Sequence, residues 1–320
     1  MTLVGNTSQH QAILDIGSNS LHFVVYKIEK DKSFSVVFRK RIVYRLAQQK
    51  QHGRSFLSDE DYTQTEKILL ECNEIAKSFS STITATATSA VRESINENNF
   101  IEQIKSRTGI SIEVLSGERE AALIYKAVLF SQADVLSQNI LCLDIGGGST
   151  EIIIGSNGKI VFLESLKLGA VRLSSRFFSF GDLTKNKIED CRVFIKKELG
   201  ALTQKLPPLK MDFVTGNSGT IYAVKNLVLA NASLLNLEHQ EQKVLTRTEL
   251  DRATELLLSK YSIEERKSLP GIEPDRADVL PVGALILQSI FHELNLSKLN
   301  LSEHSLREGK LLEVLEGSES

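Results

Sequence analysis

Hydrophobic and polar positions in the first part of the chain predict a β-meander. QAILDIG, which ends at Gly17, is an apolar run typical of a buried strand. LHFVVYKIE alternates apolar and polar residues, and SFSVVFRKRIVYRL follows with many Val, Phe and Ile residues. Three consecutive strands are therefore expected before the first helix.

Helical spacing begins after Ser58, a suitable N-cap, and the apolar residues of 58–79 then fall on one helical face. TITATATSAVRES predicts a strand that runs into a turn and a helix start, and SIEVLSG predicts another strand. Helices are expected over residues 96–107 and over GEREAALIYKAVLFS.

The pattern restarts at NILCLDIGGG, which is followed by two predicted strands joined by the turn Ser156-Asn157-Gly158. Strands are also expected at DFVTG and KLNLS. The remaining second half has helical patterns, with helices predicted at 182–205, YAVKNLVLANASLL, 248–260, 262–268, 274–294 and 304–316.

Each half thus starts with a strand, an Asp-Ile-Gly turn and a hairpin. The first copy reads DIGSNS from Asp15, and the second reads DIGGGSTE from Asp144. This repeat predicts two related α/β domains that face each other across a ligand-binding cleft. We assign residues 1–126 plus about 303–320 to the first domain and residues 127–302 to the second.

Composition is that of a globular protein with a net charge of −2, so it gives no indication of nucleic-acid or membrane binding. The 3 cysteines form no CxxC pair, which favours a reducing compartment over disulfides or a zinc site. No signal peptide and no apolar run of about 20 residues is found. We expect a cytoplasmic protein, with a homodimer as the default oligomeric state.

Glycine-rich turns after strands indicate an anion site. Glycine lets a ligand approach the backbone closely, and successive N–H groups in such a turn form an anion-binding concavity. A single DIGSNS turn would be explained by a hairpin with a capping Asp, but three glycine-rich turns in one chain favour phosphate binding. The candidate residues are Gly17, Ser18, Asn19, Ser20, Gly146, Gly147, Gly148, Ser149, Thr150, Gly216, Ser218 and Gly219.

These loops resemble the phosphate loops of the actin, sugar kinase and heat-shock chaperone superfamily. Within it, the chain is similar to the exopolyphosphatase / guanosine pentaphosphate phosphohydrolase (Ppx/GppA) family. The similar stretches are DIGSNSLHFVVY, ATATSAVRES, VLSGEREAALIY, DIGGGSTEIIIG, LKLGAVRL, GNSGT, LPGIEPDRADVLPVGALIL and HSLREGKLLEVL. The resemblance implies an α/β fold of two ribonuclease-H-like domains with an interdomain cleft.

The resemblance also implies a hydrolase that releases orthophosphate from inorganic polyphosphate, guanosine pentaphosphate or both. Glu120 would be the catalytic base and Glu151 a second catalytic carboxylate. Asp15, Asp144 and Glu151 would hold Mg²⁺ or Mn²⁺, since carboxylate oxygens suit such cations. Without the resemblance, Glu120 would be interpreted as a solvated glutamate at a helix start.

Four arginines also fall on family positions. Arg92 and Arg276 are expected to bind phosphate through their planar forks. Arg172 could bind ligand or form an interdomain ion pair, and Arg307 is expected to be structural. His22 lies on a strand, where a packed histidine is more common than a catalytic one.

Three departures from the family pattern affect the substrate. Arg119 stands beside Glu120 where many relatives have an acidic residue, and it could lower the pKa of Glu120 or face solvent. Residues 45–55 differ from the Gly-rich connection of relatives. Longer relatives carry a C-terminal helical domain resembling HD-type phosphohydrolases, and its absence from these 320 residues predicts less processive action on long polymers.

Two other functions remain open at this stage. An ATP-dependent kinase of the same superfold would need a catalytic Asp outside the loops, and none stands out. A non-catalytic sensor of polyphosphate or guanosine penta- and tetraphosphate would not need the carboxylates that the chain retains.

Overall fold

Two α/β units make up residues 9–51, 54–238 and 240–317, the part of the chain that the computed structural model describes. The first unit contains the described residues up to Glu120 together with those from Leu306 onward. The second unit runs from Ala121 to Ser305.

The first unit is built on one main sheet with helices on its flanks. Its strands are β1 (Gln9–Ile16), β2 (Ser20–Ile28), β3 (Phe34–Val43), β4 (Gln49–Gln51), β5 (Arg54–Phe56), β6 (Ile83–Ala87) and β7 (Ile112–Val114). Its helices before the second unit are α1 (Asp59–Ser78), α2 (Ser89–Arg92), α3 (Glu97–Thr108) and the first turn of α4 (Gly117–Ser131).

The main sheet has the order β3-β2-β1-β6-β7. The pairs β1–β2 and β2–β3 are antiparallel, which confirms the predicted meander, and β6 and β7 are parallel to β1. Ser58 caps α1 through a reciprocal capping box with Asp61, as its sequence position predicted. The short antiparallel pair β4–β5, which overlaps the divergent residues 45–55, was not predicted.

The second unit repeats this plan with more helices. Its strands are β8 (Asn139–Ile145), β9 (Thr150–Ser156), β10 (Lys159–Leu166), β11 (Phe213–Gly216), β12 (Val244–Thr246) and β13 (Lys298–Leu301). Its helices after α4 are α5 (Ala170–Phe178), α6 (Lys185–Thr203), α7 (Gly219–Ala230), α8 (Arg247–Ser259), α9 (Ile263–Lys267) and α10 (Leu280–Glu293). The chain then returns to the first unit with α11 (Leu306–Gly317).

The sheet of the second unit has the order β10-β9-β8-β11-β13-β12. Strands β8, β9 and β10 form antiparallel pairs, and the β9–β10 turn has Asn157 at φ 50° and Gly158 at φ 73°. Two positive φ values match the type I′ turn expected for Asn-Gly, which confirms that prediction. A single core of buried aliphatic side chains joins this sheet to its helices.

The helices of the second unit differ from the sequence predictions in two places. Helix α5 was not predicted at all, and residues 274–294 do not form one helix. A 3₁₀ turn, Pro274–Arg276, precedes α10 and is separated from it by a break. Pro281, near the start of α10, fits there because the first turn of a helix does not use its backbone N–H groups.

Candidate functional site

The DIGSNS turn closes the hairpin between β1 and β2. The amide of Gly17 donates to the carbonyl of Ser20 over 3.2 Å, and Asp15 stands directly opposite His22 in the strand register. A Cβ atom at position 17 would lie 3.0 Å from the Ser20 carbonyl oxygen, so the close turn favours glycine.

The DIGGGSTE turn has the same geometry in the second unit. The amide of Gly146 donates to the carbonyl of Ser149 over 2.9 Å, and Asp144 stands directly opposite Glu151. The two hairpins are therefore structural repeats.

Helix α5 holds the glycine loop from behind. The amides of Ala170 and Arg172 donate to the carbonyls of Gly146 and Gly147, each over 3.0 Å. The Arg172 side chain donates from Nε to the carbonyl of Gly148 over 2.6 Å. Because C=O and N–H point in opposite directions across a trans peptide, the next amides, those of Gly147, Gly148 and Ser149, point away from α5. Successive backbone donors that face the same side of a loop are suited to bind an anion.

Gly169, which sequence reasoning did not select, makes this packing possible. A Cβ atom there would lie 2.3 Å from the Gly147 carbonyl oxygen and 2.3 Å from the Gly148 carbonyl carbon. No larger residue fits without moving the loop or α5. The glycine at the junction between β10 and the following helix was the available sequence signal.

Several predicted ligand side chains have structural partners instead. Thr150 is fully buried and its hydroxyl donates to the Leu168 carbonyl, so its contact with phosphate stays a prediction. Asn19 accepts a 3.0 Å hydrogen bond from Arg45 Nε, which ties the divergent segment to the first loop. Ser18, also predicted to bind phosphate, is 9% exposed.

The conformation of the third turn, at residues 216–220, depends on a close side-chain contact and on a helix cap. A Cβ atom on Gly216 would lie 2.6 Å from Ile221 Cδ1, and Ser218 Oγ caps α7 by accepting from the Ile221 amide. These two residues therefore shape the turn. Gly219 lies under Arg276, since a Cβ atom there would be 2.6 Å from Arg276 Nη2.

Glu120 and Arg92 meet in the first unit. Arg92 Nη1 lies 3.1 Å from Glu120 Oε2 and donates to the Leu115 carbonyl over 2.6 Å. Glu120 is 8% exposed, so its interpretation as a solvated glutamate was wrong. The neighbouring Arg119 pairs with Glu313 on α11. Arg92 thus orients a buried carboxylate.

Asp15 lies in a buried setting beneath α11. Its Oδ1 atom has no hydrogen-bond partner among the described residues, and its Oδ2 atom is 4.0 Å from Arg307 Nη1. Burial raises the pKa of Asp15 to about 6, with Arg307 opposing the rise and Glu308 adding to it. An orphaned, buried carboxylate oxygen fits a cation ligand.

Asp144 and Glu151, the other predicted metal ligands, are cross-strand partners in the second unit, and Glu151 also accepts from Ser165 Oγ over 2.7 Å. In residues 9–51, 54–238 and 240–317, no group of three or more His, Cys, Asp or Glu side chains is arranged to hold a metal ion. The oxygen chemistry fits Mg²⁺ or Mn²⁺, and both cations commonly keep bound water.

Two glycine hairpins, one in each α/β unit and each beside a carboxylate, are the kind of backbone arrangement that suits an anion. A profile of the Ppx/GppA phosphatase family matches residues 24–317. The chain belongs to this family.

Two solved structures support the fold over nearly the whole chain. An exopolyphosphatase from Cytophaga hutchinsonii is 25% identical with a TM-score of 0.82, covering 97% of this chain and 98% of that one. The Aquifex aeolicus member of the Ppx/GppA protein family is 27% identical with a TM-score of 0.77, covering 98% and 99%. The predicted α/β fold class is confirmed.

A curated relative from Vibrio cholerae is named guanosine-5'-triphosphate,3'-diphosphate pyrophosphatase. It is 30% identical over 305 residues, which are 95% of this chain and 59% of the relative. The chain therefore spans about three fifths of that relative's length. Among the described residues, no helix is both long enough and apolar enough to cross a membrane.

Proposed function

We propose that this protein hydrolyses phosphoanhydrides and releases terminal orthophosphate from inorganic polyphosphate, from guanosine pentaphosphate, or from both. The observation that carries the proposal is the buried Glu120 carboxylate, which Arg92 holds at 3.1 Å in the unit that also carries the DIGSNS turn. A buried glutamate whose direction is fixed by an arginine is suited to accept a proton from water.

Each group has a distinct role in this proposal. Glu120 takes a proton from the water that attacks the terminal phosphorus, while the bond from that phosphorus to the bridging oxygen breaks. The shortened chain leaves with the electrons of that bond. Arg92 fixes the direction of the Glu120 carboxylate, and in the second unit the amides of Gly147, Gly148 and Ser149 are the proposed donors to phosphoryl oxygens.

In the first unit, Asp15 would be a ligand of Mg²⁺ or Mn²⁺. When bound, such a cation neutralises the charge that accumulates on phosphoryl oxygens. The orphaned Oδ1 atom of Asp15 supports this assignment.

Names of relatives support both substrates. The Cytophaga structure is that of an exopolyphosphatase, and the Vibrio relative is named for guanosine-5'-triphosphate,3'-diphosphate. Both molecules present a row of anionic oxygens that the same backbone donors can bind.

The test is side-by-side orthophosphate release from long polyphosphate, tripolyphosphate, guanosine pentaphosphate and ATP. Each reaction is run with Mg²⁺, with Mn²⁺ and with EDTA. Metal-dependent release from at least one of the first three, without an added acceptor, is the expected result.

Two outcomes would contradict the proposal. ATP consumption that requires a sugar or acetate acceptor would indicate a kinase. Tight binding of guanosine pentaphosphate or polyphosphate without turnover under any metal condition would indicate a sensor.

A further inference from the structure

Arg276 owes its position to the segment between α9 and α10. Its guanidinium covers Gly219 at the start of α7, and its side chain is 13% exposed. Within the segment, Arg276 Nε pairs with Glu273 at 2.6 Å, and its amide donates to the Glu273 carbonyl. These local bonds fix the side chain relative to the segment, so the segment itself must be fixed relative to α7.

One anchor lies at the other end of α7. Asn231 Nδ2 donates to the Pro270 carbonyl over 2.8 Å, and Gly271 has a φ of 82°. A Cβ atom on Gly271 would lie 2.6 Å from the Asn226 carbonyl oxygen. The segment thus touches the last turns of α7 and reaches Gly219, about 10 Å along the helix from Asn226.

The second anchor is Arg266, whose whole residue is 0% exposed. Its Nε donates to the carbonyl of Ala277, the residue directly after Arg276, over 2.6 Å. Its Nη1 donates to the carbonyls of Lys260 and Tyr261 over 2.8 and 2.9 Å. One buried guanidinium therefore joins the chain before α9 to the residue that follows Arg276.

Packing alone does not require a charged residue at this place. Burying a cation is unfavourable unless its donors are used, and an aliphatic side chain would fill the same volume without that cost. Arginine differs from lysine in having five donors in a rigid planar fork. A lysine ammonium donates from a single nitrogen, whereas Arg266 donates from Nε to one chain segment and from Nη1 to another.

We propose that Arg266 is a positioning residue that acts through Arg276, holding the Arg276 guanidinium over the start of α7 so that it can bind a phosphoryl group of the substrate. The inference rests on the proposed function, because it assumes that Arg276 meets a phosphate. Arg266 itself touches no substrate.

The test is a double-mutant cycle with Arg266→Lys and Arg276→Ala, since Lys keeps the charge and loses the fork. KM and kcat are measured for tripolyphosphate hydrolysis, and tripolyphosphate binding is measured by calorimetry in EDTA. We expect Arg266→Lys to raise KM and Kd roughly tenfold. In the Arg276→Ala background, the same change should alter kcat/KM by less than about twofold.

Two further variants separate positioning from general damage. Gly271→Ala disturbs the other anchor and should raise KM in the same way. Leu199→Ala removes a buried side chain of α6 and should lower the unfolding midpoint while leaving KM unchanged.

The outcomes are distinct. An unchanged KM and Kd in Arg266→Lys, or an equal loss of kcat/KM in both backgrounds, would overturn the inference while the hydrolase assignment stands. A wild-type protein that binds tripolyphosphate without hydrolysing it would leave the calorimetric comparison decisive, and the hydrolase assignment would be judged with long polyphosphate and guanosine pentaphosphate. A wild-type protein that does not bind tripolyphosphate would overturn the inference, while release from those two substrates would still decide the hydrolase assignment.

Discussion

His22 occupies in the first unit the position that Glu151 occupies in the second. Each is the cross-strand partner of the aspartate before a glycine turn, Asp15 for His22 and Asp144 for Glu151. The repeated hairpin therefore places an imidazole beside one loop and a carboxylate beside the other. The two loops are alike in backbone and different in charge.

His22 also lies 3.0 Å from Ser20 Oγ through its Nε2 atom, and Ser20 is buried in the first loop. Replacing His22 with Ala removes this partner, and we expect KM for polyphosphate to rise about fivefold, the equivalent of about 1 kcal/mol. His22→Gln keeps a polar side chain and should recover part of the loss. Equal KM values for wild type and His22→Ala would show that the contact does not affect binding.

Glu120→Gln is expected to reduce orthophosphate release by about 10²- to 10⁴-fold, because an amide cannot accept the proton from water. The amide oxygen can still accept from Arg92, so the unfolding transition should stay close to that of the wild type. Release rates and urea unfolding curves on the same preparations check both expectations.

Glu118 provides the matched control, since it lies two residues before Glu120 on the same helix and is exposed. Glu118→Gln should keep nearly full activity. Comparable losses of orthophosphate release in the two variants would mean that activity depends on charge at the helix start and not on the Glu120 carboxylate.

Gly169→Ala tests the support behind the glycine loop. The added methyl would overlap the backbone of Gly147 and Gly148, so we expect a loss of about 1–3 kcal/mol in unfolding free energy and at least about a tenfold loss of activity. Gly200→Ala is the contrast, because a Cβ there meets nothing within 4 Å inside α6. Gly200→Ala should raise the unfolding free energy by about 0.5–1 kcal/mol and leave turnover unchanged. A fully active Gly169→Ala enzyme would contradict the role given to α5.

Asp15 should make the folded protein less stable as pH rises. Burial raises the pKa of Asp15 from 3.8 to about 6, so the folded state binds the proton more tightly than the unfolded chain. The contribution of Asp15 to the unfolding free energy is fully present below pH 3.8 and is lost as the pH rises through about 6. The loss amounts to at most ~3 kcal/mol.

Asp15→Asn removes this ionisation. Its unfolding free energy relative to wild type should therefore increase between pH 4 and pH 6.5, while orthophosphate release falls. Asp31 offers the opposite case, because hydrogen bonds from Ser33 hold the pKa of its exposed carboxyl below the usual value. Asp31→Asn should show a small pH dependence of reversed sign. A constant difference between Asp15→Asn and wild type across this range would contradict the buried, ionisable Asp15.

Local periodicity was enough to predict most strands and helices, as well as the repeated hairpins. Helix α5 was not predicted because its N-cap, Gly169, makes no side-chain capping bond, and because Ser174 and Ser175 interrupt its apolar pattern. Strand β12 has only 3 residues, too few for an alternation to be visible. The break before α10 depends on Arg266 reaching Ala277, a tertiary contact that no local pattern encodes.

The chemistry was predictable in type more than in detail. Glu120 and Arg92 came from family motifs, but their pairing joins residues 28 positions apart and only the fold reveals it. Thr150 carries a hydroxyl, a group suited to bind phosphate. Its hydrogen bond to the Leu168 carbonyl could not be inferred from the sequence. In the second glycine loop, helix α5 binds the carbonyl groups and so determines which amides are left to face a ligand.

The return of α11 to the first unit has a consequence for how the protein is made. Tyr26 donates a hydrogen bond to Glu308, which comes 282 positions later in the chain, and Lys310 pairs with Glu113 on β7. A ribosome therefore releases β1 and β2 long before their partner helix exists. Asp15 acquires Arg307 only after residues 121–305 have been synthesised, so the first unit reaches its native state only once the entire second unit has emerged.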